Sequence, residues 1–491
     1  MNKLNIYTIL AALLFALSGC SEFEEMNINP NEPTQVSADV LLPNAIRESV
    51  NTAVDASFLV GNNAAQLTAK TLRTEVDAYN WNAFPSYWEG WYESLVDLRS
   101  IESIALDNAN EQMQGVVITL RSWVFANLTN AYGNVPYFEA TKGNESNFTP
   151  VYDDQEAIYM DLLSELDRAN TLLQGSGTID GDILLDGDAL AWQKFANSLR
   201  LRLLMYASNS MDVSAEFSSI VNNQPILENN SDNVELVYTG RFPNEFPLIP
   251  LKIGDADAVA IAKASVDVML ENSDPRLNRY TRPNSDDFTD VTDYIGAVNG
   301  PGSECLKDGA SRLGLQYYNY PSLKKASEFG LANANGVIMQ YAEVAFLRAE
   351  AIEKGWISGN SETEYKNGIQ ASLEYHAVEY SPFGFNDFED YYTNSGVAYS
   401  TKTDIWQQKW LALFFNGLEP YFELRRWYNE GGNSFDGIPF IDATCGNING
   451  DRLPLRFLYP GEEQSLNASN YQAAINEIGG NDQNISMWIL E

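Results

Sequence analysis

Apolar side chains in this chain return every three or four residues, and that spacing limits what it can fold into. Trp88, Trp91, Tyr92 and Leu95 fall on one stripe of a helix, as do Trp192, Phe195, Leu199, Leu203 and Tyr206, and again Val344, Leu347 and Ala351. Comparable patterns cover 45–72, 112–132, 153–173, 361–378 and 403–417. Clusters of Asn, Asp, Gly and Pro at 143–150, 175–181 and 293–302 separate them, and these residue types end helices and make turns. Stretches with strand character are short, chiefly 234–238 and 248–253. The pattern predicts a mostly α fold of helix pairs with long irregular loops. A clean 34-residue repeat is not legible, so periodicity stops at helix pairs and names no solenoid.

Composition removes several function classes. With 67 acidic against 30 basic residues, a formal charge of −37 and no basic stripe, the chain does not suit nucleic acid. A single histidine, His376, excludes zinc motifs that need two and leaves one candidate for any histidine-based dyad or triad. Gly175-Ser-Gly177 lacks the third glycine and the strand-to-helix setting of a dinucleotide fold, and no P-loop spacing occurs. Glycoside hydrolysis needs two carboxyl groups roughly 5–9.5 Å apart. Among 67 acids proximity alone carries no information, and Glu343, Glu350 and Glu353 at helical spacing read as buried capping or solvated-face residues. Asp180, Asp182, Asp186 and Asp188 surround Gly181 and Gly187 in an acid-rich loop, but EF-hand spacing and its terminal Glu are missing. No catalytic residue, cofactor or metal is assigned.

The N-terminus reads as an address. Lys3, the apolar run 6–17 and Leu17-Ser18-Gly19-Cys20 form a secretory signal that ends in a lipobox, too short to span a bilayer. Residues 1–19 are therefore expected to be removed and Cys20 to be lipidated, which supplies more than one acyl chain for anchoring. Ser21-Glu-Phe-Glu-Glu25 follows, and 27–43 is largely polar with little periodicity. The division predicted is a signal at 1–19, a lipidated tether at 20–37 and one α-rich domain at 38–491. Cys305 and Cys445 remain, and an oxidising exterior permits a bridge whose reach the sequence does not show.

Ordered blocks along the chain resemble the SusD/RagB family. They begin with Asn27-Ile-Asn-Pro-Asn-Glu-Pro-Thr34 and Val40-Leu-Leu-Pro43, then Tyr132-Gly-Asn-Val-Pro-Tyr-Phe-Glu-Ala140, Tyr152-Asp-Asp-Gln155 and Ile158-Tyr159. Gly187-Asp188 with Trp192, Lys194 through Arg202 and Asp274-Pro-Arg276 follow. Tyr341-Ala-Glu343, Ala349-Glu-Ala351, Gln408-Lys-Trp410, Glu423-Leu-Arg-Arg426 and Tyr459-Pro460 with Glu463 complete the series. One departure stands after Arg426, where the family's Thr-Gly-x-Pro is replaced by Trp427-Tyr-Asn-Glu-Gly-Gly432. The resemblance implies four helix pairs in a tetratricopeptide-like superhelix, with loops that build a ligand surface. It also implies an outer-membrane lipoprotein that lids a SusC-like TonB-dependent transporter and passes it oligosaccharides, or in some members peptides, without catalysis. The acidic stretch after Cys20 is similar to the export tag of Bacteroidetes surface lipoproteins.

A sugar site needs open aromatic planes rimmed by amides, carboxylates or arginine. Trp88, Trp91, Tyr92, Trp123 and Trp192 sit on helical stripes and are assigned to the core. Trp81, in a polar loop between Asn80 and Asn82 with Tyr79 nearby, is a candidate platform. Tyr294 in Asp293-Tyr-Ile-Gly296 and Tyr317 and Tyr318, with Tyr320 beside them, are the others. Packing against the body is the competing role of each. One ring contributes about 1–3 kcal/mol, short of the about 4 kcal/mol of a millimolar complex, so a set is required. Arg73 at a helix end offers a donor fork or simply a solvated surface.

Overall fold

The computed structural model describes residues 36–285, 290–301, 305, 307–320, 334–441 and 444–491. The signal segment, Cys20 and the tether as far as residue 35 lie outside the described residues.

Helices stack on their sequence neighbours. The first five are α1 (Ala38–Ala56), α2 (Pro85–Asp107), α3 (Glu111–Tyr132), α4 (Gln155–Leu172) and α5 (Ala189–Ala207). Each packs on the next, and α5 also meets α6 (Tyr341–Glu353). There α6 packs on α7 (Ser361–Tyr375) and on α8 (Lys402–Ala412), and α8 on α9 (Glu419–Glu430). The starts obey local chemistry. Pro85 opens α2 at a position whose N–H has no helical partner. Asn110 accepts from Met113 N at the start of α3, Asp188 from Leu190 N and Ala191 N at α5, and Asn360 from Thr363 N at α7. Helix α3 is buried almost all round, so it forms the centre of the first stack.

Four of the predicted helical stretches, 112–132, 153–173, 361–378 and 403–417, coincide with α3, α4, α7 and α8, although α7 stops at Tyr375 and α8 at Ala412. The stretch 45–72 does not hold as one helix. It begins earlier, at Ala38, and carries Pro43 inside; it then widens into a π turn at Ser57–Gly61 and gives way to strand β1 (Thr68–Lys70). The break has a contact behind it, because a side chain at Gly61 would lie 2.2 Å from the carbonyl oxygen of Gly417, itself at φ +54°. Two backbones meet there that only glycine allows to meet.

Strands are few and short. β1 pairs antiparallel with β3 (Val259–Ile261), Ala69 opposite Ala260. β2 (Val234–Leu236) pairs antiparallel with β4 (Gly336–Met339) through an irregular register. The strand expected at 248–253 is absent: Ile249 N donates to Phe246 O and Leu251 N to Leu248 O, so the segment is a series of turns.

Buried ion pairs tie helices α5, α6, α8 and α9 together. Arg202 on α5 reaches Glu343 on α6 at 2.5 Å and Glu419 on α9 at 3.0 Å. Arg426 on α9 reaches Glu350 at 2.6 Å and Glu423 at 2.7 Å, and Lys409 on α8 holds the same two acids. Asp274 and Arg276 pair at 2.5 Å with no exposure. The expectation for Glu343 and Glu350 is thereby corrected to internal charge partners, and the blocks around Glu343, Glu350, Lys409 and Arg426 are the two halves of these pairs. Cys305 and Cys445 are bridged, with α-carbons 5.7 Å apart across 140 residues of sequence. Among the described residues no helix is long and apolar enough to cross a membrane.

Candidate ligand-binding surface

Loops flanking the β1–β3 ribbon carry most of the aromatics singled out above, and they fold inward. The loop after β1 bends at Tyr79, φ +52°, because Gln483 grips it from both sides: its Nε2 donates to Tyr79 O at 2.7 Å while its Oε1 accepts from Trp81 N at 2.7 Å. Tyr79 is fully buried, its hydroxyl donating to Ala64 O. Trp81 is 5% exposed, donates Nε1–H to Val76 O at 3.1 Å, and meets Tyr421, Phe457 and Phe84 edge-on at 5.1, 5.5 and 5.9 Å. Neither offers a ring face to solvent, which corrects the expectation of an open platform at this loop. The exposed residues are the flanking Asn80 and Asn82. Arg73 stays exposed.

The other three aromatics are also enclosed. Tyr294 is buried beside a two-way link in which Ile295 N donates to Ser311 Oγ and Ser311 N to Ile295 O. Tyr318 donates its hydroxyl to Leu251 O at 2.9 Å and packs edge-on against Tyr320. Tyr317 stacks on Phe415 at 4.3 Å and meets Phe414 edge-on at 5.3 Å. It alone of the five lines one of the cavities described here. The structure thus separates Tyr79 and Trp81 from the 294–320 group and leaves Tyr317 as the one candidate beside an open space.

That space is a cavity of about 190 Å³ bounded by Arg279, Gln316, Tyr317, Asn335, Tyr375, His376 and the Phe414–Phe415 turn. Its volume is below the roughly 300–1,000 Å³ of small-molecule clefts, so it fits part of a larger ligand. The helical frame supplies the walls: Tyr375 and His376 come from the end of α7, and Phe415 is turned inward by a φ of +63° just after α8. Arg279 Nη2 donates to Gln316 Oε1 at 3.3 Å, and Gln316 Nε2 lies 3.4 Å from His376 Nδ1. Burial, then the charges of Arg276 and Arg279, hold the imidazole well below its usual pKa, so it is neutral. Its Nδ1 then accepts from Gln316 and its Nε2 carries the hydrogen. Arg279 Nε is buried without an acceptor. A guanidinium, amides and a neutral imidazole around four rings are the groups that hydrogen-bond hydroxyls and cover C–H faces.

Arg282 lies 4.3 Å over the Tyr320 ring, and Arg312 stands 3.8 Å from Asp257. The sequence does not single out Arg279, Gln316, Tyr375, Phe414 and Phe415, and marks His376 only as a single histidine, too few for zinc motifs, and as the lone candidate for a histidine dyad or triad. Nothing in spacing joins 279, 316, 376 and 415; the adjacency of Gln316 to Tyr317 was the one usable signal.

Two carboxylates of the acid-rich loop hold the loop and the helix that follows it. Asp182 accepts from Leu184 N, Gly187 N and Trp192 Nε1, while Asp188 caps α5. Among the described residues no group of three or more His, Cys, Asp or Glu side chains could hold a metal.

A family model described as starch-binding and associating with the outer membrane, SusD-like, matches residues 30–460. Among solved structures the chain is similar to a SusD homologue from Bacteroides fragilis, at 24% identity and TM-score 0.76, with 93% of this chain and 100% of that one covered. It is similar to an outer-membrane protein from Bacteroides vulgatus whose name connects it with nutrient binding, at 25% identity, TM-score 0.75 and the same coverage. A chitin-binding SusD homologue from Flavobacterium johnsoniae matches at 19% identity and TM-score 0.71, over 92% of this chain and 98% of that one. Among curated proteins none matches.

Proposed function

The chain belongs to the SusD-like family, and from that premise we propose that it is a cell-surface lipoprotein that captures an oligosaccharide and delivers it to a SusC-like TonB-dependent transporter. The family's proteins associate with the outer membrane and bind glycans, and the tetratricopeptide-like helical fold is shared with its solved members. The observation that carries the reading to this chain is the cavity where Tyr317, Phe414 and Phe415 meet Arg279, Gln316 and His376. Tyr317, Phe414 and Phe415 form a buried apolar floor, the amide and guanidinium bond the hydroxyls of the part that enters, and the rest of the oligosaccharide extends outside a space this small. Cys20 carries the lipid that holds the receptor beside its transporter. The protein binds and releases its cargo unchanged.

Isothermal titration of the purified protein against oligosaccharide and peptide panels, with products analysed afterwards, tests the reading. Saccharide binding without turnover supports it. Gln316→Ala removes one hydrogen bond of about 0.5–1.5 kcal/mol and should weaken that binding by about two-fold to tenfold. Binding of peptides alone would change the cargo while keeping location and partner, and product formation would overturn the receptor role. Radiolabelled palmitate incorporation lost in Cys20→Ser checks the anchor.

A further inference from the structure

A second cavity, of about 400 Å³, opens where the end of α3, the start of α4, helix α10 (Ala468–Ile478) and the segment 486–491 meet. Its lining includes Asn134, Asp154, Arg456, Glu477, Ser486 and Trp488. None of the aromatics considered above as ligand platforms lies here, and the volume falls within the range of small-molecule clefts, roughly 300–1,000 Å³. The walls are tied down from several directions. Gln155 Nε2 donates to Thr129 O, Gln155 Oε1 accepts from Ile489 N, and Ser210 Oγ donates to Trp488 O.

Arg456 is the unusual member. It is 1% exposed, its guanidinium lies 4.3 Å over the Tyr459 ring, and its Nε and Nη2 are buried with no hydrogen-bond partner. The hydroxyl of Tyr459 donates its hydrogen to Asn134 O at 2.7 Å and keeps its oxygen as a neutral acceptor beside the guanidinium, which balances none of its charge. Every other arginine in this class of burial is compensated. Arg202, Arg276 and Arg426 each hold a carboxylate within 2.5–2.6 Å, and Arg425 donates to two carbonyls at 2.7 Å. A buried cation left unpaired costs several kcal/mol, and among the described residues no carboxylate pairs with Arg456.

The rim has the opposite sign. Asp154, Glu156 and Glu477 are exposed there. Asp154 and Glu477 crowd one another: a hydrogen bond from Asp154, then burial, raises the Glu477 carboxyl above its usual range. The Asn134 amide offers Asp154 only a long contact of 3.4 Å. A simple anion would be repelled at the rim, and a simple cation at the floor. We propose that this cavity binds a small zwitterion, its carboxylate matched to Arg456 and its ammonium to the Asp154–Glu477 pair, with Trp488 against the part between. A free amino acid is the simplest molecule of that chemistry.

Titration of the full chain with glycine, glutamine and phenylalanine, and with N-acetylglutamine and glutaminamide as analogues lacking one charge, tests this. At least one free amino acid should bind, and each loss of a charge should weaken binding by about tenfold or more. Arg456→Gln should abolish it. Because Arg456 is buried and its variant can fail to fold, the exposed Asp154→Asn/Glu477→Gln pair is the second arm; it should keep the melting temperature and lose about tenfold or more in affinity. Absence of binding by any of the three amino acids at about 10 mM, equal binding of the blocked analogues, or unchanged affinity in the rim variant would overturn the proposal.

Discussion

Replacing Trp81 separates a core role from a ligand platform by magnitude. Trp81→Ala deletes an indole that is 5% exposed, three edge-on ring contacts, and a hydrogen bond to Val76 O. Ring pairs contribute about 0.5–1.5 kcal/mol each beyond burial, and Trp-to-Ala changes in cores cost about 3–5 kcal/mol in total. Trp81→Phe keeps most of the ring volume and loses the N–H bond, so its cost should be about 1–2 kcal/mol. Melting temperature is a blunt readout here. At about 2.1 cal/mol/K per residue over 491 residues, each kcal/mol moves Tm by only about 1 °C. Equilibrium urea unfolding followed by tryptophan fluorescence resolves the two variants from wild type, and glycan titration of the folded protein completes the comparison. The expected result is a large loss of stability for Ala, a smaller one for Phe, and glycan affinity unchanged in whatever fraction remains folded. A loss below about 1 kcal/mol together with abolished glycan binding would refute the packing argument and return Trp81 to the ligand.

Three further outcomes follow from charges and the bridge. Glu350→Gln leaves Arg426 and Lys409 short of a buried partner and should destabilise by about 3–5 kcal/mol in urea unfolding, whereas a cost near zero would mean that water reaches the pair. Burial, with Glu343 nearby and against the pull of Arg202, lifts the Glu419 carboxyl to about 7, so its contribution is greatest below the usual 4.5 and is lost as pH rises through 7. The wild-type urea midpoint should therefore fall relative to that of Glu419→Gln between pH 5 and 8, and parallel pH profiles would refute the shift. Cys445→Ser opens a loop of 140 residues and should cost up to about 5 kcal/mol by loop closure, an effect that a reducing agent reproduces in the wild type and not in the variant.

Helix positions were legible because they depend on local spacing. The stripes of α3, α4, α7 and α8 lie where apolar residues repeat along the chain. The end of α1 was not, since the reason lies in Gly417, more than 350 residues away from Gly61. The same limit applies to function. Trp81 sits between two exposed asparagines and reads as part of a polar loop, but the side chain that decides its direction is Gln483. Tyr317 was visible as an aromatic, while its neighbours around the cavity arrive from α7, from the turn after α8 and from the segment after Asp274-Pro-Arg276. The charged blocks were recognisable as pattern, yet only folding shows that Glu350 on one block is the partner of Lys409 and Arg426 on two others.

The Gln483 grip also constrains the order of assembly. An amide 402 residues downstream holds the loop that inserts Trp81 among Tyr421 and Phe457, and Ile489 N, still later in the chain, completes Gln155 near the start of α4. A polypeptide delivered from its N-terminus therefore keeps an unsealed seam along its earliest helices until residues 483–489 arrive. Shortening that tail should yield protein that holds its helices but exposes this seam to proteases and to chaperones that recognise apolar surface.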